Sequence, residues 1–441
     1  MTHSTLRVWG VVVGAVVGAA LAVGFAWALS HESYNVWGAV VVVPLVVAAN
    51  GVIIWRVCVR ENDRFFTAIF VTGFVAKLLA TLGRYFVAYV VYDGAADAER
   101  YNVYAAAHYA LWRDGTITWE WGGKQGTQYM ELITTAVYTV IGPSPLGGFF
   151  VYSSLAFWGA YLLYRAFRIA VPDGDWRRYS ALVFLLPSML YWPSSIGKEA
   201  WLLLFVGVTA LGAAKYFAQQ WGALLLLAGG ALGTAIIRPH VAVLLFAALL
   251  VAQLFRPVDK RSTGFVTKVL GLVVMGVAAV VLTTQSARFL GIDDFNWQAI
   301  SESVGVASGQ ASQGGSAFAG APITSPLGIP AAVVTVLFRP FPWEAHNIQL
   351  VLQSLEGLVL LVLLLRSWPR LRGLPRAMRR NPYVTFAVVY VGAFIWAFSG
   401  FGNFGILARQ RVLMIPFFLI LLALPKTRKG VPEEEEPERE L

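Results

Sequence analysis

Apolar stretches of about 20 residues recur from one end of the chain to the other, and that recurrence leaves few folds open. Inside lipid every backbone N–H and C=O must be satisfied within its own segment, so such stretches cross as helices. They fall at 8–29, 36–57, 65–92, 146–168, 179–193, 200–217, 221–237, 240–255, 266–283, 347–365, 383–399 and 411–425. The expectation is an all-α polytopic membrane protein with about twelve transmembrane helices. Composition agrees: 58% of the 441 residues are hydrophobic and 13% charged, against roughly 25% charged in a soluble domain. The first stretch, Val8 to Leu29, lacks a small-residue cleavage site before Ser30 and reads as a retained helix.

The net charge of +10 does not point to nucleic acid, because the basic residues sit in short loops between apolar helices. With the N-terminus inside, 23 of the 34 Lys and Arg residues fall on the inner side and nine outside, while Lys77 and Arg84 fall within the third helix. That bias predicts cytoplasmic N- and C-termini in the cytoplasmic (inner) membrane. Thr127 to Gly142 is apolar, but counting it as a span would put Arg165, Arg168, Arg177 and Arg178 outside. It carries Gln128 and Glu131, and reads as a helix lying along or dipping into the outer surface.

Three regions follow. Residues 1–64 hold an N-terminal helix pair, 65–425 a transmembrane core with outer loops at 93–145 and 284–346, and 426–441 a disordered tail ending in EEEEPERE. The second loop contains the small-residue stretch Gly305 to Pro322, either a plain linker or a lid over a site. Cys58 is the single cysteine, which excludes an intramolecular disulfide. No spacing of His, Asp or Glu matches a metal motif; no cofactor is expected, with a divalent ion left open.

Ionisable residues near a bilayer are costly, so those retained tend to be functional or paired. Five groups lie at the outer ends of different helices. They are Asp93 to Tyr101 with Asp97, Glu99 and Arg100; Lys198-Glu199; Arg238-Pro-His240; Arg339 to His346 with Trp343 and Glu344; and Asn403 to Arg411 with Arg409. Along the tenth stretch His346, Gln349, Gln353 and Glu356 recur at spacings of three and four, one helical face that serves either as polar glue or as lining for a polar substrate. Clustered Arg and Lys suit a phosphate or pyrophosphate. Asp97 suits a general base for an acceptor hydroxyl, or a salt bridge with Arg100. The cations can instead pair with outer carboxylates. Trp119, Trp121, Trp297 and Trp343 are either sugar platforms or ordinary interfacial tryptophans.

The run Asp97-Ala-Glu-Arg-Tyr101-Asn-Val-Tyr-Ala105, followed by Asp114-Gly115, Tyr129 and a helix ending Ile141-Gly142, resembles the first outer loop of GT-C membrane glycosyltransferases. The likeness is greatest to the protein mannosyltransferase and aminoarabinose transferase group, and in layout it covers about residues 65–425. The resemblance implies a polyprenyl-phosphate sugar donor, a glycan, lipid or protein acceptor on the outer face, and inversion at the anomeric carbon. Asp97 matches the family's catalytic Asp. Lys198, Arg238 and Arg339, then Arg409 and Arg411, would hold the departing lipid phosphate. Ala98 stands where the family often has a second acid, with Glu99 one place on; Lys124 stands near the place of a donor-side lysine.

Two other classes compete. A lipid-linked polysaccharide polymerase or ligase similarly combines about twelve helices with outer arginines, which Arg339, Arg409 and Arg411 fit and Asp97 fits less well. A lipid or polysaccharide transporter or flippase would show internal repeats and polar groups at mid-membrane; neither is evident in the sequence.

Overall fold

The computed structural model describes residues 3–31, 33–118, 125–256, 262–290, 316–323 and 325–426. Lys124, Trp119, Trp121, Trp297, most of the Gly305–Pro322 stretch and the acidic tail lie outside the described residues. Within them the named elements are helical, with one isolated β-bridge between Ala317 and Asn403.

The chain begins with α1 (His3–His31) and α2 (Tyr34–Glu61), which pack together. Next, α3 (Arg64–Phe86) runs on through a π-helical turn, Val87–Val91, into α4 (Asp97–Arg113) and α5 (Gln125–Ile141). After these come α6 (Pro145–Ala170), α7 (Trp176–Leu185), α8 (Pro187–Tyr191), α9 (Lys198–Phe217), α10 (Ala223–Ile237), α11 (Pro239–Leu254) and α12 (Ser262–Leu290). The last part holds α13 (Ile329–Phe338), α14 (Ile348–Arg366), α15 (Trp368–Leu371), α16 (Leu374–Arg380), α17 (Pro382–Phe398), α18 (Phe404–Arg411) and α19 (Ile415–Leu422).

Among the described residues, five helices are long and apolar enough to cross a membrane: α2, α3 with its π turn, α6, α9 and α14. The pair α18 and α19, bent by 62°, makes a sixth if it is one span. Shorter apolar helical segments are Gly14–Trp27 within α1, Gly271–Thr284 within α12, and the regions of α10, α11, α13 and α17. Large apolar side chains stay exposed on these helices, among them Leu45, Trp55, Leu225, Leu232, Leu352 and Leu365. An apolar exterior over a packed interior is what a helix bundle in lipid requires, since lipid tails solvate Leu as well as a core does.

The central packing is α9 between α6 and α10. Here the backbones approach closely. A Cβ at Gly159 would lie 2.5 Å from the Leu203 carbonyl oxygen, and one at Gly207 would lie 2.5 Å from that of Gly159. Small residues at a crossing let van der Waals contact do what a hydrophobic drive cannot do in lipid. At one end of the bundle a polar clamp ties several helices together. Arg165 donates to Glu61 at 2.8 Å, Arg370 to Asp175 at 2.6 Å and to the Leu424 carbonyl, and Asn381 Nδ2 to the Ala170 carbonyl at 2.6 Å.

Several sequence expectations need correction. The stretch 179–193 is not one helix: Leu186 is extended, and Pro187, which lacks an N–H, opens the separate α8. The stretch 411–425 is likewise split, α18 ending at Arg411 and α19 starting at Ile415. The loop expected at 284–346 is partly helical, because α12 reaches Leu290 and α13 occupies Ile329–Phe338. At ten residues α13 is about 15 Å long, half a bilayer, and it packs against α14 and α17.

Candidate functional site

At the end of the bundle opposite the Asp175–Arg370 clamp, a cavity of about 340 Å³ opens between α3, α4, α9, α18 and the α10–α11 junction. Its lining includes Arg84, Asp97, Tyr101, Lys198, Glu199, Arg238, Arg409 and Gln410. Local chain geometry places each of them. The π turn at Val87–Val91 is followed by Asp93 and Gly94, both at positive φ, and the Gly94 N–H returns to the Ala88 carbonyl at 2.9 Å. This hairpin bend sets Asp97 at the first position of α4, where the positive end of the helix dipole favours a carboxylate. Tyr101, one turn on, is buried at 3% exposure, and burial raises its hydroxyl pKa further above the ordinary range, so it serves as a neutral hydrogen-bonding group.

Lys198 and Glu199 open α9 directly after the Trp192–Gly197 turn, and Arg238 is the junction residue between α10 and α11. Arg238 donates to Glu199 Oε1 at 3.1 Å and to Gln410 Oε1 at 2.6 Å. Lys198 Nζ donates to Thr127 Oγ1 at 3.0 Å. Arg409 pairs with Asp97 at 3.2 Å and lies 5.4 Å over the Trp192 ring. The salt bridge weighed for Asp97 with Arg100 is not formed: Arg100 pairs with Glu131 at 2.9 Å. Glu99 accepts from Asn102 at 3.1 Å and does not line the cavity.

The other residues expected at the site lie elsewhere. Arg339 pairs with Glu344 and sits 4.5 Å over Phe318 and 5.4 Å over Phe404. Burial alone would raise the Glu344 carboxyl, but hydrogen bonds from Arg339 and the Phe341 N–H override it and hold it below the usual range. Arg411 is buried, at 1% exposure, and donates to the Leu337 and Arg339 carbonyls, both at 3.0 Å. His346 is exposed and precedes α14, so it is not on the helical face assigned to it. Gln349 accepts from the Tyr92 hydroxyl at 3.1 Å. Gln353 and Glu356 are buried in the bundle, Glu356 accepting from the Ser188 N–H at 2.6 Å, so the stripe lines packing rather than the cavity. His240, in the first turn of α11, is 6.4 Å from the Phe398 ring and also stands outside the lining; Trp343 stacks on Phe341 at 4.9 Å.

Arg84 was missing from the expected set. It closes the C-terminal part of α3, is 7% exposed, donates to the Tyr191 hydroxyl at 3.3 Å, and lies 5.1 and 5.2 Å over the Tyr191 and Trp192 rings. The signal was present, since an arginine inside an apolar stretch is expensive and marks a site by default. Trp192, the shared aromatic floor of Arg84 and Arg409, had no sequence signal beyond being one tryptophan among 16.

Fold and site together define a helical protein of membrane type, with a cavity at one end lined by four cations and two carboxylates. No family model, no curated protein and no solved structure matches the chain.

Proposed function

We propose that the chain is an integral membrane glycosyltransferase that moves a sugar from a polyprenyl-phosphate donor to an acceptor at the extracytoplasmic face. In this reading it is a GT-C-like bundle of about twelve spans with both termini cytoplasmic. One observation carries it: Asp97 of α4, Lys198 and Glu199 of α9, Arg238 of the α10–α11 junction and Arg409 of α18, four segments distant in sequence, meet in one cavity. An acceptor hydroxyl attacks the anomeric carbon as Asp97 takes its proton. A new C–O bond forms, the bond to the phosphate oxygen breaks, and its electron pair leaves with the lipid phosphate, whose charge goes from one negative to two. The cations at the cavity stabilise that developing charge.

The polymerase reading rested chiefly on Arg339, Arg409 and Arg411, and two of these are held by Glu344 and by backbone carbonyls away from the cavity. Asp97 lines it, which favours the transferase. The test is to supply purified protein with radiolabelled polyprenyl-phosphate sugars and a membrane extract as acceptor. The expected result is a covalent labelled product with release of polyprenyl phosphate. Movement of label across proteoliposomes with no covalent product would overturn the reading in favour of a transporter.

A further inference from the structure

The four cations of the cavity are not equivalent. Arg238 and Arg409 are already matched, by Glu199 at 3.1 Å and Asp97 at 3.2 Å. Arg84 and Lys198 are not: among the described residues neither has a carboxylate within ion-pair distance. Arg84 is more than nine-tenths buried, lines the cavity, and keeps its Nε without a hydrogen-bond partner. Its contacts are a phenol oxygen and two ring faces, which hold a guanidinium in place without neutralising it. A buried cation left unmatched is costly, so it is retained where a counter-charge arrives with a ligand. Lys198 begins the 20-residue α9, whose N-cap, Gly197, offers no side-chain cap. The lining Gly197, Lys198 and Glu199 therefore present the positive end of a long helix to the same cavity.

We infer that Arg84 and Lys198 form a phosphate subsite selective for a group carrying two negative charges, with Arg84 its buried anchor. The two neutral pairs frame the subsite, and the two uncommitted cations set its charge. The inference rests on the phosphate-donor reading above and makes it more specific. A sugar phosphodiester carries one negative charge, and the prenyl phosphate it leaves behind carries two. A subsite matched to two charges therefore binds the departing group better than the donor, which is how differential binding lowers a barrier. A diphosphate diester also carries two charges, so the shared chemistry is a dianionic phosphate, from a released monoester or from a diphosphate-linked lipid.

The test uses full-length protein in phosphatidylcholine nanodiscs and three probes: geranyl methyl phosphate, geranyl phosphate, and the geranyl methyl diester of diphosphate. At about pH 8 the two dianions should bind at least about tenfold more tightly than the monoanionic diester. At about pH 5, below the second phosphate ionisation near 6, geranyl phosphate should fall to the diester's affinity while the diphosphate diester keeps its advantage. A tighter monoester supports the released-product source, and a tighter diphosphate diester supports the diphosphate-linked source. Arg84→Gln should level the three probes, and Arg84→Lys should restore most of the preference. Equal binding of all three to the wild-type protein overturns the inference and leaves the phosphate reading standing; binding of none overturns the phosphate reading itself. The wild-type comparison decides the matter even if Arg84→Gln fails to fold.

Discussion

Glu199 and Arg238 each keep only 13% of their side-chain surface, and a pair that dry is costly to break by halves. Glu199→Gln strands the Arg238 charge and should cost about 3–5 kcal/mol, read from denaturant unfolding in detergent, whereas Glu199→Leu with Arg238→Met should recover most of it. Arg339 and Glu344 show a different dependence. Arg339 reaches the Ala319 carbonyl at 3.3 Å and covers Phe318, whose N–H donates to the Gly402 carbonyl at 2.8 Å. The carboxyl pKa of Glu344 is lowered in the folded state, so the contribution is present above the ordinary carboxylate value and is lost as pH falls through the folded one. The protection factor of the Phe318 amide, its intrinsic over its observed exchange rate at each pH, should therefore be high near neutrality and fall below about pH 4. An exchange rate unchanged by Glu344→Gln at neutral pH would contradict this. Charge alone was legible at this scale. The sequence marked Asp97, Lys198, Arg238 and Arg409 because polar groups at the ends of apolar stretches are expensive. It could not separate them from Arg339 and Arg411, since whether a cation meets a carboxylate, a carbonyl or open space depends on neighbours distant along the chain.

Among the elements, α8 shows how a five-residue helix can set the site. Glu356 accepts from the Ser188 N–H at its N-terminal end, and Lys77 Nζ donates to the Met189 and Leu190 carbonyls at 3.1 and 3.0 Å at its C-terminal end. Each side chain satisfies orphan backbone groups at one end of the helix. The element leads straight into Trp192, the floor beneath Arg84 and Arg409. Lys77→Met deprives two carbonyls of their donor and should cost about 1–3 kcal/mol in unfolding, with weakened phosphate binding as a second readout. The crossing of α6 and α9 makes a second prediction: Gly207→Val should lower the melting temperature by several degrees, because a side chain there meets the Gly159 backbone rather than a movable neighbour. The long apolar helices were legible from hydropathy. The α7–α8 break and α13 were not, because a stretch of ordinary span hydropathy looks the same whether it is continuous, broken at Pro187, or only half a bilayer deep.

For the molecule as a whole, the ion pairs among the described residues gather at two ends. One end holds the Asp175–Arg370 clamp and its neighbouring ion pairs, which close on themselves. The other holds the cavity, where the cations outnumber the carboxylates. In the function proposed above, the first end faces the cytoplasm and the second the outside. That separation supports a one-sided transferase over a transporter, whose polar site belongs near mid-membrane. The most direct measurement is transfer of labelled sugar from polyprenyl phosphate by purified Asp97→Asn, alongside binding of geranyl phosphate by the same variant. Transfer is expected to be abolished and expression and membrane insertion to be kept, while binding is not weakened, because Arg84 and Lys198 remain in place and Arg409 loses its counter-ion. Near-normal turnover by Asp97→Asn would contradict the proposed role of Asp97.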